Sequence, residues 1–242
     1  MRLLVTRPQP DADRTAAALA AAGHKPVVQP VQTVEYLPPP SVREPAAIAL
    51  TSRNGARALA RWPAAAAWRR LPVFAVGVGT AAEAGAAGFM QVRSANGDGK
   101  ALAAYIITNR DPKAGRVLYP AAEDRSPALE TTLHAKGFDV QAVGAYRMTP
   151  TPRLDTDVVD ALSKGSIDGI LLYSPRSAAA FGDLVRAAEL TPALASVTIY
   201  AISQATADVL DWVPGAIVVA ASPDEDAMMR AIPSFSPKAA KR

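Results

Sequence analysis

An apolar run that breaks on a serine and continues into Ala-rich sequence occurs twice in this chain. One copy reads Ile48-Ala49-Leu50-Thr51-Ser52-Arg53-Asn54-Gly55-Ala56, the other Ile170-Leu171-Leu172-Tyr173-Ser174-Pro175-Arg176-Ser177-Ala178. Each is an apolar run of buried-strand length, then a small polar turn, then helix-forming residues. Such a junction sets a hydroxyl and several free backbone N–H groups at a helix start, where an anionic group can be held. Ser is also an ordinary helix N-cap, so these residues alone leave both roles open.

The duplication extends beyond the serine. Short apolar runs at Leu3–Thr6, Val27–Val31, Ile48–Leu50, Val73–Val76, Val117–Tyr119, Val140–Val143, Ile170–Tyr173, Val197–Ala201 and Ile217–Ala220 alternate with Ala-rich stretches, the pattern of an α/β fold with parallel sheets. From Arg2 to Gly23 is 21 positions, and from Arg116 to Gly137 is also 21. Each of these arms reads strand, helix, Gly, strand, with the Gly at a helix C′ position. From Gly77 to Asn96 is 19 positions, as it is from Ser203 to Ser222, within bodies that begin at the serine-ended strands. The order is therefore arm, body, arm, body, and two matching spacings in register indicate an internal duplication.

Two Pro-rich stretches, Leu37-Pro38-Pro39-Pro40-Ser41 and Thr149-Pro150-Thr151-Pro152-Arg153, read as linkers. Between them the first body and the second arm are joined only by the short loop Asn109-Arg110-Asp111-Pro112-Lys113. The expected organisation is a continuous domain at 45–147 and a discontinuous one made of 1–36 and 152–242, with linkers at 37–44 and 148–151. A ligand is expected in the cleft between the domains, where strand ends face each other.

Composition narrows the chemistry. With no cysteine among 242 residues, disulfides, thiolate metal sites and cysteine nucleophiles are excluded. The N-terminal apolar run is too short for a signal peptide, and no apolar segment is long enough to span a membrane, so a cytoplasmic protein is expected. The net charge of +4 is spread along the chain, apart from the tail Lys238-Ala239-Ala240-Lys241-Arg242, which is expected to be disordered. Scattered basic residues and few aromatics do not make a nucleic-acid platform, whereas a mild positive balance suits a small polyanion.

The familiar catalytic constellations are missing. Gly77-Val78-Gly79-Thr80-Ala81-Ala82 loosely fits a dinucleotide fingerprint, but the next strand, around Gln91-Val92-Arg93, lacks the acidic residue a ribose needs. The two histidines, His24 and His134, have no partners at metal-ligand spacing and read as surface residues beside helix ends. A Ser-His-Asp triad is correspondingly improbable. Glu123-Asp124-Arg125-Ser126 reads as helix-start acids and a cap, and Arg57, Arg61, Arg69 and Arg70 as a solvated face. Tyr146 ends the last strand of the second arm beside a linker, with Tyr36 as its counterpart in the first. A phenol there either packs or donates a proton.

Taken in order, Val5-Thr6-Arg7-Pro8, Leu50-Thr51-Ser52-Arg53, Val76-Gly77 with Thr80-Ala81, Gly137 through Val143 to Tyr146, Tyr173-Ser174-Pro175 with Ser177, Ile202 to Thr206-Ala207, and the Ser-Pro at Ser222 resemble the uroporphyrinogen-III synthase family over nearly the full length. The resemblance implies two similar parallel-sheet, flavodoxin-like α/β domains joined by a two-stranded linker, with the N-terminal segment completing the C-terminal domain. It implies a cofactor-independent, metal-free lyase. Such an enzyme takes hydroxymethylbilane, removes its hydroxyl, inverts ring D and closes uroporphyrinogen III. By the same resemblance, Tyr146 assists hydroxyl departure, and Arg7, Thr51, Ser52, Arg53, Gly77, Ser174, Ser177 and Thr206 bind substrate. The implied enzyme is a monomer whose partner is the small-molecule bilane, without nucleic acid or membrane. The chain departs from the family where Ser203-Gln204-Ala205-Thr206 replaces the frequent Gly-Pro-Thr-Thr, which leaves a non-catalytic, two-lobed tetrapyrrole or polyanion binder as the alternative.

Overall fold

The computed structural model describes residues 1–233, so the basic stretch 238–242 lies outside the described residues. The first arm contains β1 (Arg2–Val5), α1 (Asp11–Ala21) and β2 (Lys25–Val28), followed by β3 (Gln32–Tyr36). The first body contains β4 (Ala47–Leu50), α2 (Arg53–Ala60), β5 (Pro72–Ala75), α3 (Val78–Ala86), β6 (Gln91–Ser94) and α4 (Gly99–Asn109). The second arm contains β7 (Val117–Ala122), α5 (Ala128–His134) and β8 (Val140–Pro150). The second body contains α6 (Thr156–Ser163), β9 (Gly169–Leu172), α7 (Pro175–Ala187), β10 (Thr198–Ala201), α8 (Gln204–Ala207), β11 (Ile217–Val219) and α9 (Glu225–Ala231).

The chain divides into a split unit, Met1–Thr33 with everything from Thr149 onward, and a central unit, Val34–Met148. In the split unit the strands lie in the order β2-β1-β9-β10-β11, all parallel. In the central unit the order is β3-β8-β7-β4-β5-β6, parallel from β8 to β6. Apart from β3 the two orders match. β7 and β8 stand where β1 and β2 do, and β4 to β6 stand where β9 to β11 do. The split unit runs arm then body and the central unit body then arm, so each is a circular permutation of the other.

The apolar strands follow from burial on both faces. Along β1, Leu4 packs into one cluster with Phe181, Leu194 and Ile199, while Leu3 and Val5 pack into another with Leu19, Leu171 and Met228. Along β4, Ile48 and Leu50 point to one cluster and Ala47 and Ala49 to the other, the period-two alternation of a strand. The arm helices stop as the glycines require. Gly23 and Gly137 sit at φ of 83° and 82°, and the next N–H groups, of His24 and Phe138, reach back to the carbonyls of Leu19 and Leu133.

Several expectations change. Residues 34–36 belong with the central unit, because β3 hydrogen-bonds to β8. The expected linker at 37–44 is tied to β8: the Leu37 N–H donates to the Ala145 carbonyl, and Gln141 holds the Arg43 N–H and the Ser41 carbonyl. The expected linker at 148–151 is strand as far as Pro150. Arg57 is not a solvated residue but is 6% exposed, because it bridges from α2 to Glu83 of α3. Arg61 is folded over the Tyr36 ring, 3.9 Å from its centroid. His24 is buried rather than exposed, and that burial, with the N-terminal amine nearby, holds its imidazole below the usual value. Glu123 is drawn away from the start of α5 to Arg147, while Arg125 pairs with Glu130.

No helix among the described residues is long and apolar enough to cross a membrane. Nor is any group of three or more His, Asp or Glu residues among them placed to hold a metal ion.

Candidate active site

In an open doubly wound sheet the ligand crevice lies beyond the carboxyl ends of the strands, where the strand order reverses. That point falls between β7 and β4 in the central unit and between β1 and β9 in the split unit. Ser52 is two residues past the end of β4, and Ser174 is two residues past the end of β9. Both duplicated serines therefore sit at the switch point of their own sheet.

At the central switch point Ser52 caps α2. Its backbone is extended, and its Oγ accepts from the Gly55 N–H at 3.0 Å. The same Oγ lies 2.8 Å from the Tyr146 hydroxyl. Tyr146 comes from β8 and is 7% exposed, so this phenol is held by packing and by Ser52 together. Gly55 lets α2 come this close to β7: a Cβ there would fall 2.7 Å from the Pro120 carbonyl oxygen. The preceding residue, Thr51, pairs its hydroxyl with Tyr119 of β7 at 2.9 Å.

Arg53 lies across the first turn of α3. A Cβ added to Gly79 would meet its Nη2 at 2.5 Å, so glycine at 79 gives the guanidinium its place. Gly77 heads α3 in extended backbone, with open space where a side chain would be. Thus Thr51, Ser52, Arg53, Gly77 and Tyr146 are all in the central unit, the first four just past the ends of β4 and β5. Tyr146 does not end its strand as expected but stands within β8, which runs on to Pro150.

The split unit holds Arg7, Ser174, Ser177 and Thr206. Ser174 caps α7 in a reciprocal box: its Oγ accepts from the Ser177 N–H at 3.0 Å, and the Ser177 Oγ accepts from the Ser174 N–H at 3.1 Å. Ser177 is 5% exposed and also donates to the Ser174 carbonyl, so its hydroxyl is spent inside the turn. Thr206 is fully buried, with its hydroxyl 3.1 Å from that of Ser203. Arg7 is paired with Glu225 at 2.7 Å and stacked 4.1 Å over the Tyr173 ring. Burial, with Glu225 adding to it, pushes the Tyr173 phenol up to about 12. Arg7, Ser177 and Thr206 thus brace the turns that present Ser174 and Ser203.

The helices that follow β4, β5, β9 and β10 begin with no acidic residue in the first turn. By contrast α1, α5, α6 and α9 each carry one or more there, and α4 is capped by Asp98. The bare helix starts occupy equivalent places in the two units, and their N–H groups favour anions.

Reading the sequence missed Tyr119, Asn54 and the Arg57–Glu83 pair. Asn54 accepts from both the Tyr36 hydroxyl and Arg57. Apart from Arg57, one helical turn from Asn54, their partners lie between 18 and 68 positions away, and only a polar or charged residue inside an apolar run, such as Tyr119 at the end of Val117-Leu118, hints at them.

A family model described as uroporphyrinogen-III synthase HemD matches residues 13–230. No curated protein matches the chain by sequence. Among solved structures, uroporphyrinogen-III synthetase from Helicobacter pylori 26695 superposes with a TM-score of 0.64 at 19% identity, over 95% of this chain and 97% of that one. A mutant uroporphyrinogen III synthase from the extremely thermophilic bacterium Thermus thermophilus superposes with a TM-score of 0.57 at 20% identity, over 95% and 96% of the two chains. At these identities the superpositions bear on the fold.

Proposed function

The chain belongs to the uroporphyrinogen-III synthase family, cofactor-free lyases that close hydroxymethylbilane to uroporphyrinogen III in heme biosynthesis, and on that footing we propose that Ser52 and Tyr146 assist loss of the bilane hydroxyl. The observation that carries the reading is the 2.8 Å contact between these hydroxyls at the central switch point. Ser52 accepts from Gly55 and donates to the Tyr146 oxygen. Tyr146 gives its proton to the departing hydroxyl, which leaves as water. The hydrogen bond from Ser52 stabilises the negative charge that develops on the phenol. The bilane becomes an azafulvenium, and ring D attacks it through its substituted carbon to give a spiro intermediate. The bond from that carbon to the ring C methylene then breaks, leaving a second azafulvenium on ring C. The unsubstituted α-carbon of ring D closes on it, and the proton that this carbon loses as the pyrrole is restored returns to Tyr146. Water is the net product beside the macrocycle.

The substrate supplies most of the electronic drive, so orientation is the protein's main task. Helix starts without acidic residues, with Arg53 across α3 and Ser174 at α7, support binding of the eight carboxylates. In this reading Gly77 offers its backbone, and Thr51, Arg7, Ser177 and Thr206 hold the turns. Scattered basic charge supports an enzyme that binds no nucleic acid, and we take it to work as a cytoplasmic monomer.

The test is the isomer formed from hydroxymethylbilane. The protein should yield the type III product, and Tyr146→Phe should lower kcat by about a hundredfold, the low end for a general acid. Accumulation of only the spontaneous type I isomer with the unaltered protein would defeat the reading. Tight binding of the bilane without turnover would point to a binding module instead.

A further inference from the structure

Tyr119 and Tyr146 pin one turn from opposite faces of one sheet. Tyr119 packs with Ala49, Phe74, Leu102, Leu129 and Leu133. Tyr146 packs with Leu50, Trp62, Trp68 and Val143. Between them β4 runs out into Thr51 and Ser52. Consecutive residues point to opposite sides of a strand, and here the alternation continues past the strand end: Thr51 meets Tyr119 at 2.9 Å and Ser52 meets Tyr146 at 2.8 Å.

Resting on the Ser52–Tyr146 reading, we propose that Tyr119 is a positioning residue for the cyclisation, fixing the Thr51–Ser52 turn so that the Ser52 hydroxyl meets Tyr146. Tyr119 is 3% exposed and its hydroxyl is engaged by that of Thr51, so it acts through Thr51. Its ring is held in turn. The Arg125 guanidinium lies 6.0 Å from the ring centroid and is fixed by Glu130, whose Oε1 accepts from Nε at 3.0 Å and from Nη2 at 2.6 Å. Burial foremost, with Glu130 and Tyr146 nearby, raises the Tyr119 phenol, so it keeps its proton across the working pH range. A phenylalanine would fill the same apolar pocket, so the hydroxyl is needed for Thr51 rather than for packing. Precision at this turn matters because a displacement of about 1 Å at a reacting group can cost about a hundredfold in rate.

The experiment measures kcat, KM and the type III to type I ratio for Tyr119→Phe, Thr51→Val, Thr51→Ser and the double Tyr119→Phe/Thr51→Val variant, beside Tyr146→Phe. Unfolding midpoints are taken for each. Tyr119→Phe and Thr51→Val should each lower kcat about tenfold with KM within about twofold, and each should raise the type I share. The double variant should be no slower than either single one, since both break one contact. Thr51→Ser should recover most of what Thr51→Val loses. A Tyr119→Phe enzyme with the unaltered kcat and isomer ratio, or losses that multiply in the double variant, would overturn the role of Tyr119. If Tyr119→Phe does not fold, the two Thr51 variants decide: equal rates in Val and Ser overturn the role, and a slow Val with a recovered Ser supports it. A slow Tyr146→Phe beside a normal Tyr119→Phe would leave the Ser52–Tyr146 reading standing, whereas a normal Tyr146→Phe would remove that reading.

Discussion

The Arg57 guanidinium, 7% exposed in its side chain, closes a 2.7 Å ion pair on the Glu83 carboxylate and so ties α2 to α3. Removing one partner leaves the other charge in a poorly hydrated place. Glu83→Leu is expected to destabilise the protein by about 3 kcal/mol, within the range for breaking a buried pair. The double Arg57→Met/Glu83→Leu variant should lose much less. Urea unfolding of the three proteins checks this, and equal losses in single and double variants would contradict it.

Ser52 combines two roles that one substitution can separate. Glycine is nearly as good a helix N-cap as serine, so Ser52→Gly should cost only a few tenths of a kcal/mol. It also deletes the hydroxyl that meets Tyr146. The expected variant is close to normal in its melting temperature and at least about tenfold slower, a loss of about 1.4 kcal/mol in transition-state stabilisation. Paired calorimetry and isomer assays decide it.

Gly79→Ala should move stability and binding in opposite directions. Gly79 lies in the first turn of α3, where alanine favours the helix by up to about 1 kcal/mol. The added methyl displaces Arg53 from its place across that turn. The melting temperature should hold or rise while KM for the bilane rises several-fold. An unchanged KM would take Arg53 out of the binding site.

The expected pH dependence follows from Tyr173, whose phenol rises from 10.0 to about 12 on folding. Above pH 10 the unfolded chain releases this proton while the folded protein keeps it. The unfolded state then binds fewer protons, so stability falls as pH rises through that window, by up to about 2–3 kcal/mol. Below pH 10 both states are protonated and the group adds no slope. Tyr173→Phe should flatten the decline between pH 10 and 12 in denaturant titrations.

Ser177→Ala tests whether that hydroxyl serves the helix or the ligand. Its bonds all run within the Ser174 turn. A loss of about 1 kcal/mol in stability with an unchanged KM is expected for a capping role. A large rise in KM without loss of stability would assign it to substrate.

Local rules made the serine-ended strands legible. An apolar run covered on both faces, a Ser cap and an Ala-rich helix are all written within about ten residues, and β4–α2 and β9–α7 form where that pattern stands. The helix stops at Gly23 and Gly137 were legible for the same reason, since only the backbone freedom of glycine is involved. β3 was not, because Gln32-Thr33-Val34-Glu35-Tyr36 is no apolar run and becomes a strand by pairing with β8. Arg57 was misread because Arg57 and Arg61 fall one helical turn apart, as on a wet face, while the carboxylate that draws Arg57 inward lies 26 positions later. Tyr146 was singled out by an expected strand end beside a linker and by family resemblance, whereas β8 runs on past it to Pro150 because it pairs with β3. The Thr51–Tyr119 pair spans 68 positions and left no local trace.

The permuted order of the two sheets bears on how the chain emerges from the ribosome. All five parallel strands of the central sheet are synthesised in one unbroken stretch and can condense as soon as β8 is out. β1, whose Leu3, Leu4 and Val5 end fully enclosed, has β2 on one side within moments but must wait for β9 on the other. At about 5–20 residues per second that delay is roughly ten to thirty seconds. Throughout it an apolar strand has a bare edge, so the β1–α1–β2 segment is where nascent-chain chaperones should be found, and where a stalled or truncated product should begin to aggregate.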